Sequence, residues 1–182
     1  MTVCPLMPRQ AVPALDLPLL GGGRFVLGAV PPSRFDLLVF YRGLHCPLCA
    51  RYLGELERLS PEFARRGVRL TAVSADGSER AQAMADKIGA SGVQVSHGLD
   101  MPTARAWGLY ISASRGKTSL GIEEPPLFAE PAVYLIRPDG TLYYGAVQTM
   151  PFARPAFADL LTAIDFAIDK NYPARGEYTG AV

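Results

Sequence analysis

Two cysteines separated by two residues are the part of this sequence with the clearest chemistry, in the segment C-P-L-C at 46–49. A cysteine attacks a disulfide or a peroxide only as its thiolate, so a redox cysteine needs surroundings that lower its pKa. Residues three apart on a helix share one face, with Cβ atoms roughly 5 to 6 Å apart, which allows a disulfide after a small shift. The spacing therefore predicts a dithiol that closes to a disulfide and is reduced again.

The neighbouring residues predict a different role for each cysteine. Pro47 suits the first position of a helix, because its missing N–H would have no partner there, and this makes Cys46 the helix N-cap. At that position the sulfur faces free N–H groups and the positive end of the helix dipole, and a protonated His45 adds a charge of the same sign. We expect Cys46 to be the more exposed, more acidic, attacking thiol and Cys49 to be the resolving cysteine.

The same cysteines and histidines also fit roles other than redox chemistry. A C-x-x-C pair can be half of a zinc site, but Cys4, His45 and His97 form no second pair at metal-ligand spacing, so we expect no metal and no bound cofactor. Two buried structural cysteines, or a buried His45 held only by a hydrogen bond, remain alternatives. Cys4 is interpreted as an incidental free thiol, with a third redox role as the other choice.

The composition bounds the kind of protein. The chain has 182 residues, of which 49% are apolar, and this is enough for one domain over 1–182. Eighteen basic residues against seventeen acidic ones give a net charge of +1, which favours neither nucleic acid nor an anionic membrane as a partner. No stretch offers the ~20 apolar residues of a membrane helix, and residues 1–10 lack the apolar core of a signal peptide, so we expect a cytoplasmic protein.

Strand-like and helix-like patterns alternate along the chain and predict an α/β fold around the cysteines. Pro61 predicts a kink or break in the helix that follows them, and residues 112–126 suit a surface loop or a short inserted helix. The predicted elements are a hairpin over 14–28, strands over 36–41, 68–74 and 93–95, helices over 46–66, 78–88 and 103–107, a hairpin over 132–147 and a closing helix over 155–168.

Three segments resemble the peroxiredoxin-like (AhpC/TSA, redoxin) branch of the thioredoxin superfamily: FYRGLHCPLC at 40–49, AVSAD at 72–76 and PAVYLIRPDG at 131–140. The resemblance runs from Pro13 to the closing helix. It implies a thioredoxin-like three-layer fold, with a central mixed β-sheet flanked by helices and the N-terminal hairpin as an extension. It also implies an oxidoreductase with a role in redox homeostasis and antioxidant defence.

Within that resemblance, two diagnostic positions differ from the peroxidases. Aligned without gaps on the peroxidase motif, Arg42 takes the place of its proline, Cys46 that of its Thr or Ser, and Cys49 that of the peroxidatic cysteine. Pro131 takes the place of the arginine that polarises the peroxide, which is also the place of the cis-proline in thioredoxins. The resemblance therefore implies a cis Glu130–Pro131 peptide beside the cysteines.

These observations favour a thiol–disulfide oxidoreductase that cycles a Cys46/Cys49 dithiol–disulfide couple. The first alternative is a thiol peroxidase that reduces hydrogen peroxide or organic hydroperoxides and closes the same pair. The second is a redox-inactive interaction domain. The expected partners are a protein or low-molecular-weight thiol as reductant and a disulfide or hydroperoxide as substrate; the sequence is also compatible with a homodimer.

Overall fold

The computed structural model describes residues 4–119 and 121–181, which form strands and helices that alternate along most of the chain. In chain order these are β1 (Asp16–Pro18), β2 (Arg24–Val26), β3 (Phe35–Phe40), α1 (Pro47–Arg58), α2 (Ser60–Arg65), β4 (Val68–Val73), α3 (Ser78–Ile88), β5 (Gln94–Ser96), α4 (Met101–Ala106), β6 (Ile111–Ala113), β7 (Leu127–Ala129), β8 (Ala132–Ile136), β9 (Leu142–Val147) and α5 (Phe157–Asp169).

Five of the strands form a central mixed sheet in the order β5-β4-β3-β8-β9. β3 lies parallel to β4, and β4 lies parallel to β5. β8 is antiparallel to both of its neighbours, β3 and β9. The parallel β3 and β4 are joined through helices α1 and α2, so the cysteines follow the carboxyl end of a central strand.

Both faces of the sheet are covered, which explains why β3 is buried along its whole length. On one face, Leu37 and Val39 of β3 pack with apolar residues of α1, α2, α3 and α5. On the other face, Leu38 and Phe40 pack with the β1–β2 hairpin, with α4 and with Trp107. The three-layer α/β architecture implied by the sequence is confirmed.

Most predicted elements are present within one or two residues of their expected bounds, including the N-terminal hairpin, in which β1 pairs antiparallel with β2. The break expected near Pro61 also occurs, because α1 ends at Arg58, Leu59 caps it, and Pro61 lies in the first turn of α2.

The segment over 112–126 is mostly a loop, which is the first of the two predicted forms, and only its first two residues belong to a strand. The residues on either side of this loop pair as antiparallel strands, with β6 beside β7 and Ile111 opposite Ala129. Between them the described residues contain one further bridge, between Lys117 and Glu123, and no helix. We call residues 114–126 the connecting loop.

No helix in the described part of the chain combines the length and the apolar character needed to cross a lipid bilayer.

Candidate active site

The start of α1 holds the two cysteines in the arrangement expected from the sequence. Cys46 is the N-cap, with extended backbone at φ −100° and ψ 103°, and Pro47 is the first helical residue. The Cys46 sulfur accepts a hydrogen bond from the backbone N–H of Cys49, with a distance of 3.3 Å from N to Sγ. Both cysteines are reduced. The site therefore contains a dithiol in the first turn of a helix, with one sulfur bound to the N–H of the other residue.

The pKa values of the two thiols are shifted in opposite directions. A hydrogen bond from the Cys49 thiol, opposed by burial, lowers the pKa of Cys46 to about 6, and the Cys49 N–H and the charges of Arg154 and Arg42 act in the same direction. Burial and the neighbouring Cys46 sulfur raise the pKa of Cys49 well above the ordinary value of a thiol. Cys46 is the thiol that ionises first, as the sequence predicted.

The expected difference in exposure between the two cysteines is almost absent, because both are buried. Cys46 is only 1% exposed and Cys49 is 0% exposed. Packing on α1 explains this burial, because both residues belong to the apolar cluster between that helix and the sheet. Cys46 therefore has a lowered pKa although neither cysteine is exposed to solvent.

Arg154 is a site residue that the sequence reasoning missed. Its Nη2 donates to the Cys49 sulfur at 3.1 Å and lies 4.0 Å from the Cys46 sulfur. Its Nε donates to the backbone carbonyl of Pro151 at 2.6 Å, within the segment that leads into α5. Since 105 residues separate Arg154 from Cys49, no local spacing pointed to it. A fixed positive charge therefore lies beside both sulfurs.

His45 is present at the site but in a different state from the one expected. Its side chain is fully buried, with its ring 4.7 Å from that of Phe128 between centroids. Neither ring nitrogen has a hydrogen-bond partner among the described residues. Burial, together with the positive charge of Arg42, lowers the pKa of His45 to about 4. The expectation that a protonated His45 stabilises the thiolate is wrong at neutral pH, because the imidazole is neutral there.

Arg42 connects the cysteine loop to the β6–β7 segment. Its guanidinium lies 3.4 Å from a carboxylate oxygen of Glu130 and 3.6 Å from one of Glu124. It also lies over the ring of Phe128, 4.6 Å from the centroid. Arg42 therefore joins the residues that lead into Cys46 to the connecting loop through its charge pair with Glu124. Its contacts with Phe128 and Glu130 join the same residues to β7 and to the residue that follows it.

A buried carboxylate, Asp76, holds the loop before Cys46 and was not singled out from the sequence. It accepts a hydrogen bond from the Leu44 N–H at 2.7 Å and one from Arg80 Nε at 3.0 Å. Burial raises the pKa of Asp76. Gly43 passes so close that an added Cβ would lie 2.9 Å from both Asp76 carboxylate oxygens, and its φ of +134° also favours glycine. The loop shape before the cysteines therefore depends on a glycine and a buried acid.

The expectation of a cis Glu130–Pro131 peptide is wrong, since the described residues contain no cis peptide. The physical reason is that the chain runs directly from β7 into β8 without a tight turn. The Glu130 N–H donates to the Tyr110 carbonyl at 2.8 Å, and the Pro131 carbonyl accepts from the Gln148 N–H at 2.9 Å. Pro131 is buried at the start of β8, and a role for it in the site stays a prediction.

A cleft of about 200 Å³ adjoins Arg154 and the first turns of α1. It combines apolar side chains with two guanidinium groups and one carboxylate, and it is lined by Leu48, Arg51, Tyr52, Glu55, Pro151, Phe152, Arg154, Pro155 and Ala156. Phe152 is 71% exposed at its edge. The guanidinium that contacts the sulfurs thus also borders an open cleft.

Elsewhere, Cys4 is an exposed free thiol at the N-terminal end of the described chain. Within residues 4–119 and 121–181, no three side chains of His, Cys, Asp or Glu come together closely enough to hold a metal ion.

Several peroxiredoxins are among the solved structures that share this fold. The reduced 2-Cys peroxiredoxin of Plasmodium vivax has a TM-score of 0.72 at 17% identity, and the match covers 92% of this chain and 84% of that one. AhpC of Enterococcus faecalis has a TM-score of 0.70 at 18% identity, covering 93% and 98%. The peroxidoxin BcpB of Mycobacterium tuberculosis has a TM-score of 0.69 at 20% identity, covering 90% and 98%. At these identities the likeness establishes the fold.

No curated protein matches this sequence at a significant level. The family model of the AhpC/TSA family matches residues 8–145, which include both cysteines, the connecting loop and the sheet as far as β9. The resemblance noted in the sequence is thereby confirmed over most of the chain. The chain therefore belongs to the AhpC/TSA family and is a thiol-dependent oxidoreductase.

Proposed function

We propose that this protein is a thiol–disulfide oxidoreductase in which Cys46 attacks and Cys49 resolves. The Cys46 thiolate attacks one sulfur of a substrate disulfide, so that the substrate S–S bond breaks and one substrate thiolate leaves with the electron pair of that bond. The Cys49 thiol then loses its proton and attacks the Cys46 sulfur. The second substrate thiolate is released, the Cys46–Cys49 disulfide forms, and two electrons have passed to the substrate.

The observation that carries this proposal is the hydrogen bond from the Cys49 N–H to the Cys46 sulfur. It holds the first sulfur at the end of a helix, where backbone N–H groups stabilise a thiolate, and it holds the second thiol within the same turn. A disulfide between residues three apart gains little from restricting the unfolded chain, so it is readily reduced.

The remaining site residues have supporting roles in this proposal. Pro47 starts the helix, and Arg154 supplies positive charge to both sulfurs. Arg42 adds a more distant positive charge and fastens the connecting loop. His45 fills the space between the cysteine loop and Phe128 as a neutral ring. Pro131 directly precedes β8, which pairs with the central strand that leads to the cysteines.

A hydroperoxide is the second candidate substrate, and Arg154 is the observation that favours it. Its Nη1 is buried without a hydrogen-bond partner among the described residues, while its Nη2 contacts a sulfur. A buried unpaired donor is costly, so this N–H suits an oxygen of a bound substrate. In this reaction the thiolate attacks one peroxide oxygen, the O–O bond breaks, and water or an alcohol leaves. The sulfenic acid then condenses with the second thiol and releases water.

Either reaction leaves the Cys46–Cys49 disulfide, so turnover needs a thiol reductant, either a protein or a small molecule. A reducing compartment such as the cytoplasm supplies such thiols.

A trapping experiment tests which cysteine attacks. Reduced Cys49→Ser protein, treated with oxidised glutathione at pH 7, should accumulate one mixed disulfide on Cys46, detected by peptide mass spectrometry. Cys46→Ser protein should form little adduct, and both variants carry Cys4→Ala so that the exposed thiol gives no signal. Adduct formation mainly on Cys49 in the Cys46→Ser protein would reverse the assignment.

A rate comparison tests the substrate. Reduced wild-type protein is mixed in a stopped-flow instrument with hydrogen peroxide, cumene hydroperoxide or oxidised glutathione, and oxidation of the pair is followed. For each oxidant, the rate constant with the protein is divided by the rate constant with free cysteine. The proposal expects this ratio to be largest for oxidised glutathione. If a hydroperoxide instead oxidises the protein many orders of magnitude faster than it oxidises free cysteine, the protein is a hydroperoxide reductase and the first candidate is wrong.

A further inference from the structure

Tyr52 contacts the segment that carries Arg154 in two ways. Its hydroxyl donates to the backbone carbonyl of Pro155 at 2.6 Å. The Arg154 guanidinium lies over its ring, 5.0 Å from the centroid. Tyr52 is on α1, one turn beyond Cys49, so the helix that holds the cysteines also holds the residue that meets the arginine.

The position of Tyr52 is itself fixed. Its ring stacks on that of Phe157, the first residue of α5, with 4.1 Å between centroids and 26° between planes. Burial raises the pKa of Tyr52 above its ordinary value, so its hydroxyl remains a donor throughout the neutral range. The tyrosine is thus an anchor between α1, Arg154 and the start of α5.

We infer that Tyr52 is a positioning residue that holds the Arg154 guanidinium against the Cys46–Cys49 sulfur pair. This inference rests on the proposed function, in which the charge of Arg154 stabilises the attacking thiolate. Arg154 lies in an irregular segment, where the described contacts of its guanidinium are with Pro151, the two sulfurs and the Tyr52 ring. Without Tyr52 the segment loses its hydrogen bond to α1 and the guanidinium loses its aromatic support.

The test is a double-mutant cycle read out as the pKa of Cys46. Thiolate absorbance near 240 nm and the rate of iodoacetamide alkylation are measured against pH for wild type, Tyr52→Leu, Arg154→Gln and the double variant. If loss of the guanidinium raises the Cys46 pKa by about one unit, thiolate at pH 6 falls about fivefold. We expect Tyr52→Leu to give most of the Arg154→Gln shift and the double variant to add no more.

Two further variants separate positioning from general packing. Tyr52→Phe removes only the bond to Pro155 and should give a smaller shift, whereas Tyr52→Trp keeps an aromatic face for Arg154 and should restore much of the wild-type pKa. Each variant is compared at pH values where its circular dichroism spectrum matches that of wild type. These milder changes keep the inference testable if Tyr52→Leu unfolds.

Tyr143 provides a matched control at the other end of the sheet. Its hydroxyl donates to a backbone carbonyl, that of Tyr172, at 3.0 Å, and the Arg137 guanidinium lies 5.0 Å from its ring centroid. It packs against Phe35, at the start of β3 and far along that strand from the cysteines. Tyr143→Leu should leave the Cys46 pKa unchanged.

Three results would overturn the inference: a wild-type pKa in Tyr52→Leu while Arg154→Gln is shifted, additive shifts in the double variant, or no shift in Arg154→Gln. Failure of the proposed function looks different. It would appear as a wild-type pair that oxidised dithiothreitol cannot close to a disulfide, and the pKa cycle can still be read in that case.

Discussion

The Asp76 carboxylate accepts a hydrogen bond from the backbone N–H of Leu44 at 2.7 Å, and this bond ties the end of β4 to the loop that carries the cysteines. The acid is buried, and Arg80 supplies the opposite charge. The hydrogen bond that the Leu44 N–H donates to this buried carboxylate fixes the path of the loop two residues before Cys46. The geometry of the dithiol therefore depends on residues that never touch a sulfur.

Gly43→Ala should destabilise the protein by about 2 kcal/mol or more, because the new methyl group meets the Asp76 carboxylate and the backbone has a positive φ. Urea unfolding measures this change. Gly54→Ala in α1 is the matched control, since an added Cβ there meets no atom within 4 Å, and it should stabilise the helix by up to about 1 kcal/mol. Equal effects of the two substitutions would show that the Gly43 loop is not constrained as described.

The acidity of Cys46 should depend on Cys49. Thiolate absorbance in a Cys4→Ala background should rise with a midpoint near pH 6, because the Cys49 thiol and N–H both donate to the Cys46 sulfur. Cys49→Ala should move this midpoint to higher pH, since the largest of the groups that lower the Cys46 pKa, the Cys49 thiol donor, is lost. Cys46→Ala should lower the pKa of Cys49, because the competing sulfur is gone. A midpoint that stays in place in Cys49→Ala contradicts the coupling of the two thiols.

His45 should make the fold sensitive to acid rather than activate the thiol. Its pKa is about 4 in the folded protein, against 6.5 ordinarily, so between these values the unfolded chain binds the extra proton. Stability then falls as the pH is lowered through this window, by about 3 kcal/mol in total from this residue. Urea unfolding of His45→Phe from pH 7 to 4 should lack that part of the loss.

The control for His45 is His97→Phe, which removes the second of the two histidines and leaves the buried ring beside Phe128 in place. Cys46 alkylation profiles of wild type and His45→Phe should superimpose. A variant slowed mainly at acid pH would show that the imidazole is charged after all.

Arg42 should stabilise the local structure of the connecting loop. Arg42→Met removes the charge pairs to Glu124 and Glu130 but retains an apolar stem against Phe128. Loss of about 1 kcal/mol of local stability corresponds to roughly fivefold faster amide exchange. Hydrogen exchange should therefore quicken at Arg115, whose N–H donates to the Glu124 carboxylate at 2.7 Å. Arg137→Met, at the opposite end of the sheet, should leave that exchange rate unchanged.

The sequence predicted the fold well where a local pattern and the tertiary environment agree. The strand over β3, the helix over α3 and the break before Pro61 each follow from periodicity or from proline geometry within one segment. The same holds for Cys46 as N-cap, because Pro47 beside a short polar side chain is a local signal.

The predictions that failed concern contacts between distant segments. Arg154 reaches Cys49 only because α5 packs beside α1, and no spacing shows this in advance. The charge of His45 was misjudged because it depends on burial against Phe128 from another strand. The β6–β7 pairing was missed because each strand has three residues, too few for a period to be visible.

Burial of both cysteines also affects the rate at which they can react. Because Cys46 is only 1% exposed, we expect a reagent to reach its sulfur only when the surrounding residues move, which predicts a pre-equilibrium between a closed and an open form. When opening and closing are fast, the measured second-order rate constant is the intrinsic thiolate reactivity multiplied by the open fraction. When opening is slow, the rate stops rising with reagent concentration and becomes the same for every oxidant. The rate of turnover would then depend on the opening motion as well as on the pKa of the Cys46 thiol.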